Sequence, residues 1–366
     1  MKQGWEYKRF EACINKTPKP KQVKTEEYNS GTKYPIVSQE DKLISGYYDD
    51  ESYVFHIDSP VVIFGDHTRV LKYIDFDFVV GADGVKIISP KQELNAKFLL
   101  YYLQWYKIPN LGYSRHYKLL KEIQIPLPPK STQLSIVSEL DKINELIRLK
   151  KEQLKDYDNL AQSIFYEMFG DPVENEKGWE VSTYSKCFNI GSGGTPSKSV
   201  PEYWDNGNIP WIGSNMCQNC IITETDGKFI TQEGLNNSST KYLEVGTVLV
   251  ALVGATIGKV ALLRTPTCTN QNVAFIKANE SKDFVPEYVF YNLMGQYEEF
   301  MKIGKGDFKM ANQAFIKALP ILSPPLSLQH LFAQRIEKIE HQKSEVAKAI
   351  TDLETLLASR MQHWFE

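Results

Sequence analysis

Two glycine-rich segments have spacings that come close to a known cofactor-binding motif. Residues 254–260 read Gly-Ala-Thr-Ile-Gly-Lys-Val. This resembles a phosphate-binding loop, but it is one residue short and has Val260 where a serine or threonine must reach the metal. Residues 191–199 read Gly-Ser-Gly-Gly-Thr-Pro-Ser-Lys-Ser and have no glycine directly before Lys198. Neither segment therefore predicts a nucleotide site.

Cys217 and Cys220 form a single C-x-x-C pair. A structural zinc site needs four ligands, and Cys268 is the only other cysteine nearby. We interpret the pair as two small residues in a loop, with a zinc site as the alternative.

Sequence motifs for other catalytic machinery are absent. The chain has no G-x-S-x-G or H-E-x-x-H pattern, and its six histidines are scattered. The Asn-Pro-Pro-aromatic or Asp-Pro-Pro-Tyr motif of adenine methyltransferases is also missing, because the two Pro-Pro pairs follow Leu127 and Ser323. The sequence therefore predicts a protein that is not itself an enzyme.

The composition is that of a globular chain of several domains. It has 366 residues, 42% hydrophobic residues and a net charge of −3. No apolar run predicts a membrane span or a signal peptide, and five scattered cysteines fit a reducing cytoplasm. Residues 1–24 carry seven Lys or Arg against two acids. This arm could steer DNA, or it could be a solvated terminal segment.

A long internal repeat organises the chain. Residues 125–169 align without gaps to residues 321–365, so that the proline pairs and Gln133 and Gln329 coincide. The preceding blocks also repeat, with small insertions. In the first block we expect a strand at 61–64, a helix at 95–106 and a strand-like piece at 119–125. The predicted domains are 1–127 and 171–322, each followed by a long helix, at 128–170 and 323–366.

Both long helices carry a heptad-like apolar stripe, interrupted once by Lys150 and once by Lys343. Two matched helices favour an antiparallel coiled coil with pseudo-twofold symmetry; the alternative is that each helix packs on its own domain. The predicted core residues are Ile136, Leu140, Ile143, Ile147, Leu154, Ile164, Phe332, Ile336, Ile339, Val346, Ile350, Leu353 and Leu357.

Several motifs, in their order, carry a resemblance to a known family. They are 64–69 (Phe-Gly-Asp-His-Thr-Arg), 81–84 (Gly-Ala-Asp-Gly), 193–197 (Gly-Gly-Thr-Pro-Ser), 209–212 (Ile-Pro-Trp-Ile) and 254–258 (Gly-Ala-Thr-Ile-Gly). Together with the proline pairs, each followed by a glutamine, they resemble the specificity (S) subunits of type I restriction-modification enzymes over essentially the whole chain. The sequence departs from that pattern mainly in having no leading helical stretch.

The resemblance implies an α+β protein with two similar α/β target recognition domains, each reading one half of a bipartite asymmetric site in double-stranded DNA. The coiled coil would set the spacer and dock two methyltransferase (M) subunits, which would supply S-adenosylmethionine and the catalytic residues. Restriction (R) subunits, if present, would add ATP-driven cleavage with Mg. No cofactor is expected in this chain.

Given such a role, the expected DNA contacts are polar residues in glycine-punctuated loops between strands. Each of them could instead serve as a turn or cap residue. Arg115 is the candidate for a guanine, and Asn270 or Gln271 for an adenine. In the first domain the expected contacts are Lys19, Lys21, Ser38, His67, Thr68, Arg69, Asp83, Ser114, Arg115 and His116. In the second domain they are Thr195, Ser197, Lys198, Ser214, Asn215, Thr256, Lys259, Asn270, Gln271, Lys305 and Lys309.

Two alternatives remain open at this point. An S subunit could serve a methylation-only or fused restriction system, because that difference lies in the partners. A coiled-coil scaffold with protein-binding domains is the alternative from another class, and the net charge of −3 leaves room for it.

Overall fold

The structure is a computed structural model that describes residues 2, 4–112, 114–279, 284–303 and 310–366. The first globular domain is followed by a helix of 40 residues. Its strands are β1 (Glu6–Arg9), β2 (Tyr34–Val37), β3 (Gly46–Tyr48), β4 (Val54–Phe55), β5 (Val61–Gly65), β6 (Leu71–Ile74), β7 (Phe78–Val80), β8 (Val85–Ile88) and β9 (Gln124–Leu127). Its helices are α1 (Phe10–Cys13), α2 (Ala96–Tyr106) and α3 (Tyr117–Leu120), and the long helix is α4 (Lys130–Phe169).

Two sheets and a strand pair make up this domain. Strand β5 is buried along its whole length, as its apolar run predicts, and it pairs antiparallel with β6 and β8. A second sheet has the order β3-β2-β7-β4, in which β2 and β7 run parallel. Strands β1 and β9 pair antiparallel and bring the two ends of the domain together.

The second domain is followed by a helix of the same length, 40 residues. Its strands are β10 (Val181–Thr183), β11 (Phe188–Ser192), β12 (Ile209–Ile212), β13 (Cys220–Ile222), β14 (Phe229–Ile230), β15 (Tyr242–Leu243), β16 (Val248–Ala251), β17 (Val260–Leu263), β18 (Thr267–Thr269), β19 (Val273–Ala278) and β20 (Pro320–Leu322). Its helices are α5 (Tyr184–Cys187), α6 (Gln232–Asn236), α7 (Pro286–Gly295), α8 (Tyr297–Met301) and α9 (Gln313–Ala318), and the long helix is α10 (Leu326–Phe365).

The strand pairings of the two domains correspond. Strand β16 pairs with β17 and β19 as β5 pairs with β6 and β8, and β12 runs parallel to β18 as β2 does to β7. The pair β10 and β20 repeats the pair β1 and β9. The prediction of an α+β chain with two similar domains, each followed by a long helix, is therefore confirmed.

The chain divides by packing into two units, 1–152 with 346–366 and 153–345. These limits differ from the domain boundaries predicted from the sequence, because each globular domain packs with part of α4 and part of α10. In the first unit, Ile136 and Leu140 of α4 join the core of the first domain together with Phe365 of α10. The sequence left two alternatives, in which the long helices pack on each other or on their own domains. The structure shows both kinds of packing together.

Within each unit the two helices run antiparallel. In the first unit, Glu139 accepts hydrogen bonds from Arg360 and Trp364, and Lys151 pairs with Glu354 at 2.8 Å. In the second unit, Lys343 is 2.8 Å from Asp158. Of the predicted core residues, Leu154, Ile164, Leu353 and Leu357 are half-buried and the others are buried.

Lys343 interrupts the heptad pattern of α10, and it forms a cluster of charged residues at that position. Its ammonium group contacts Asp158 and, at 2.9 Å, Glu340 of its own helix. Burial alone would lower the pKa of Lys343, but the hydrogen bonds to the two carboxylates outweigh it and raise that pKa. Lys343 therefore stays charged at a position where the heptad pattern predicts an apolar residue.

The repeated glutamines perform the same task in the two domains. The Gln133 side chain accepts a hydrogen bond from the Asn95 amide at 2.8 Å and donates to the Pro128 carbonyl at 2.9 Å. Gln329 accepts from the Val285 amide and donates to the Pro324 carbonyl, both at 3.0 Å. Each glutamine is buried and ties the first turn of a long helix to the start of α2 or α7.

Some local expectations were wrong. The piece 119–125 is not one strand, since α3 ends at Leu120 and β9 begins only at Gln124. Cys220 begins strand β13 instead of lying in a loop, while Cys217 is buried in the core.

Among the described residues, no group of three or more His, Cys, Asp or Glu is placed to hold a metal ion. In the same part of the chain, no helix combines the length and apolar character needed to span a membrane.

Candidate nucleic-acid interface

In the first domain, the parallel pair β2 and β7 brings two polar segments to one sheet edge. Strand β2 ends at Val37 and β7 ends at Val80, and the carboxyl ends of parallel strands lie side by side. The segments that follow are joined directly, because the side-chain NH2 of Gln39 donates to the Asp83 carbonyl at 2.9 Å.

The turn between β5 and β6 joins the same cluster through Gln39. The His67 amide donates to the Gln39 side-chain oxygen at 3.2 Å, and the Thr68 hydroxyl donates to the Gln39 carbonyl at 2.7 Å. Arg69 has a positive φ of 63° and donates from its guanidinium to the Ile108 carbonyl at 3.1 Å. The Gln39 side chain thus joins its own loop to two others, and its main-chain carbonyl adds the bond from Thr68.

Asp66 attaches the fourth loop, which precedes α3. Its carbonyl accepts from the His116 amide at 2.8 Å and lies 2.9 Å from Nδ1 of the His116 ring. Its carboxylate accepts from the Tyr117 amide at 2.7 Å and lies 3.7 Å from the Lys86 ammonium. Asp66 and His116 are both buried, so they support the surface from beneath.

A basic groove opens beside these loops. Its charged lining residues are the cations Lys16, Lys19, Lys86, Arg115 and Lys121 and the anions Glu11 and Asp83. Three of the cations are paired: Arg115 with Asp83 at 3.6 Å, Lys121 with Glu11 at 2.8 Å, and Lys86 with the buried Asp66 at 3.7 Å. Because cations outnumber acids, the groove can attract a polyanion although the whole chain is slightly acidic.

The second domain builds a corresponding edge from β12 and β18. These parallel strands end at Ile212 and Thr269, so the turn bearing Ser214 and Asn215 meets the turn bearing Asn270 and Gln271. The Asn270 amide donates to the Ile212 carbonyl at 3.1 Å. The loop after β11 closes over the same edge, where the Thr195 hydroxyl donates to the Gln271 side-chain oxygen at 2.6 Å.

Two glycines allow that closure. A Cβ at Gly193 would lie 2.0 Å from the Thr269 carbonyl oxygen, and one at Gly194 would lie 2.2 Å from the Ser239 hydroxyl. A side chain at Gly193 would force the loop away from β18, and one at Gly194 would force it away from Ser239 and Thr240, so the Gly-Gly pair of the sequence motif has a packing reason. The cluster around Thr195 and Gln271 depends on this close approach.

The other expected contacts of the second domain lie in separate places. Ser197 and Lys198 are exposed in the loop after β11. Thr256 and Lys259 lie between β16 and β17, where the Lys259 ammonium donates to Gln218 at 2.8 Å. Lys305 and Lys309 lie outside the described residues.

The expected contacts of the first domain differ in exposure. Lys19, Thr68, Asp83 and Arg115 are exposed, while His67, Arg69 and Ser114 are half-buried. Lys21 is exposed, but its ammonium lies 5.0 Å from the centre of the Tyr53 ring and donates to Ser52.

Two expected contacts need correction. The Ser38 hydroxyl is buried 2.7 Å from the Ser45 hydroxyl, and both ring nitrogens of His116 are engaged, one of them by the Leu111 amide at 3.0 Å. Neither side chain is presented to a ligand in this conformation.

Sequence reasoning missed the residues that hold the loops. Gln39 lies in a stretch with no motif, and its partners are 28 to 44 residues away in the chain. Lys72 is buried in β6 and donates to the carbonyls of Ser38, at 2.9 Å, and Lys42. Burial lowers the pKa of Lys72. Only Asp66 had a signal, because it lies inside the motif at 64–69.

Comparison with known proteins agrees with this architecture. A model of the family described as the type I restriction modification DNA specificity domain matches residues 2–156 and 176–354. The specificity subunit of the type I restriction enzyme EcoR124I/EcoR124II from Escherichia coli is 23% identical over 346 residues, covering 90% of this chain and 84% of that protein.

Two solved structures share the fold over nearly the full length. A chain from a structure of type I R-M complex assembly and conformational transition aligns with a TM-score of 0.58 and 18% identity, covering 99% of this chain and 98% of that chain. The type I restriction-modification S subunit from M. genitalium aligns with a TM-score of 0.57 and 15% identity, covering 99% and 96%. The family match includes both globular domains, and we conclude that the chain belongs to the type I restriction modification DNA specificity domain family and carries the domain twice.

Proposed function

We propose that this chain is the DNA sequence-recognition subunit of a type I restriction-modification complex, in which each domain reads one half of a bipartite asymmetric site. The observation that carries the proposal is the repeated pairing of parallel strands, β2 with β7 and β12 with β18. In both domains this pairing gathers polar loops of different sequence at one edge. A shared scaffold with two different sets of loops is what two unlike half-sites require.

The basic groove of the first domain supports DNA binding by that domain. DNA binding gains most of its sequence-independent affinity from neutralised phosphates, and base-edge contacts add specificity. Lys16 and Lys19 line the groove from an extended segment stiffened by Pro18 and Pro20, and Arg115 lines it from the loop before α3. Such a groove suits one backbone strand, with the loops that Gln39 fastens facing the bases.

In this proposal the chain itself is not catalytic. Methyltransferase (M) subunits, two per chain, bind S-adenosylmethionine and transfer the methyl group, and restriction (R) subunits, where a system has them, use ATP with Mg. The antiparallel pairing of α4 and α10 within each unit supports a spacer role for the helices and offers the surface on which M subunits dock.

The test is to map methylated adenines in the host genome with the gene present and with it deleted. We expect one bipartite motif, with two defined halves and an unspecified spacer, whose methylation disappears with the gene. A host whose methylated adenines are unchanged by the deletion would contradict the proposal. Restoring the wild-type gene should bring the motif back, which controls for effects on neighbouring genes.

A further inference from the structure

Arg115 and Asp83 form an exposed ion pair on the basic groove. Their side chains are 3.6 Å apart and keep 65% and 81% of their accessible surface. Exposed pairs of this kind contribute little to folding stability. Folding stability therefore does not account for this ion pair.

Both partners are held by anchored backbone. The carbonyl of Asp83 accepts the hydrogen bond from the Gln39 side-chain NH2, and the next carbonyl, that of Gly84, accepts from the Asp66 backbone amide at 2.7 Å. Gly84 has a φ of 96°, and a Cβ there would lie 2.8 Å from the Gln39 side-chain oxygen, so the turn is closed tightly on Gln39. Arg115 directly precedes His116, which is buried and bonded through its amide and its ring.

The Arg115 guanidinium can donate further hydrogen bonds to a ligand. Arginine carries five N–H donors in a planar fork, and the Asp83 carboxylate at 3.6 Å attracts one end of the fork by charge while leaving the donors free for a ligand. The ligand that matches the free edge of such a fork on DNA is the O6 and N7 acceptor pair of guanine in the major groove. An aspartate could instead read a base itself, by accepting from the N4 amino group of cytosine.

We propose that Asp83 is a positioning residue that orients Arg115 toward one guanine, with Gln39 holding Asp83 in place. This inference rests on the proposed function, since it assumes that the first domain reads DNA. It replaces the expectation that Asp83 contacts a base. The geometry favours the positioning role because the Asp83 carboxylate already faces a guanidinium.

The test is a double-mutant cycle read from methylation in the host. Arg115→Ala, Asp83→Ala and the double variant are each restored to a strain lacking the gene. The methylated fraction is then compared between sites that match the motif and sites that differ from it at one position. We expect Arg115→Ala to lower the preference for guanine at one position roughly 5- to 150-fold, the range that corresponds to one bidentate base contact. Asp83→Ala should relax the same position by less, and the double variant should match Arg115→Ala.

Gln39→Ala should relax that same position, while Asp58→Ala, a change at an exposed aspartate of the same domain, should leave the motif unchanged. Should the alanine variants lose all methylation, the cycle is repeated with Arg115→Lys and Asp83→Asn, which retain the size of the side chains. An unchanged requirement at the other half-site shows that a variant is folded.

Three results would overturn the inference. Asp83→Ala could relax a different base pair, the two substitutions could act additively, or Arg115→Ala could weaken methylation uniformly, as loss of a phosphate contact does. Each of them leaves the proposed function intact, because a bipartite motif would still depend on the gene. Absence of any such motif with the wild-type gene would instead remove the proposed function and this inference with it.

Discussion

Gln133 and Gln329 should each stabilise the protein far more than an exposed glutamine does. Gln133→Ala leaves three groups without their partner, namely the Asn95 amide and the carbonyls of Glu93 and Pro128, all now bonded at 2.8 to 2.9 Å. An unsatisfied buried polar group costs about 1–3 kcal/mol. Water can reach the partly buried bonds to Asn95 and Glu93, so we expect a total loss of about 2–4 kcal/mol.

The same substitution at Gln329 breaks two bonds, and both of them are buried. We therefore expect a loss of similar size, about 2–4 kcal/mol, with the damage in the other unit. A chain with two compact units need not unfold in one step, so a single midpoint is a poor measure. Hydrogen exchange resolved by peptide is the suitable assay, because it reports opening of each unit separately.

Gln133→Ala should speed exchange in peptides of the first unit, most of all at the Asn95 amide, and Gln329→Ala should do so in the second unit at the Val285 amide. Gln104→Ala, at an exposed position of α2, is the matched control and should leave exchange unchanged. A free-energy change below about 0.5 kcal/mol for Gln133→Ala would show that the hydrogen-bonding account is wrong.

Three further changes test the packing of the chain and the role of the helices. Arginine hydrogen bonds hold the pKa of Glu139 below its usual 4.5. Because the folded pKa is depressed, the ion pair stabilises the fold above pH 4.5, and this stabilisation is lost as the pH falls through the lowered pKa. Glu139→Gln should therefore cost about 1 kcal/mol at pH 7, read from hydrogen exchange in peptides of the first unit, and the difference should disappear once the pH lies below the lowered pKa. Gly258→Ala should cost about 2–3 kcal/mol, read from hydrogen exchange in peptides of the second unit, against about 1 kcal/mol for Gly254→Ala. Both glycines have positive φ, but only a Cβ at 258 would meet Phe300, at 2.7 Å. Insertion or deletion of whole turns within 145–160 should change the spacer length in mapped methylation and keep both half-sites; altered half-sites would contradict the spacer role.

Features with local causes could be predicted from the sequence. The buried strand β5 follows from an unbroken apolar run, and α2 begins where Asn95 caps it by accepting from the Phe98 amide at 3.0 Å. The long helices follow from their heptad stripe and the proline pairs before them. The repeat also predicted that Gln133 and Gln329 would be equivalent, although it could not say which hydrogen bonds they make.

The arrangement of the loops could not be predicted, because it depends on contacts between distant residues. Nothing in the composition of 38–45 distinguishes Gln39, which fastens two other loops, from its polar neighbours. His116 is polar, as a DNA-contact residue would be. Its side chain is nevertheless buried, and its ring nitrogen lies within hydrogen-bond distance of the carbonyl of Asp66, 50 residues earlier. A buried polar group needs partners, and sequence patterns do not identify partners that come together only in the folded chain.

The two domains show how one scaffold can carry two recognition surfaces. In both, the backbone places the same pair of parallel strands at the edge where the loops gather. The means of fixing the loops differs, since the first domain uses the Gln39 side chain while the second uses the close approach of Gly193 and Gly194 and the bond between Thr195 and Gln271. We expect substitutions at these fastening positions to move the loops relative to the sheet edge, so that the target of one domain changes while its fold is preserved.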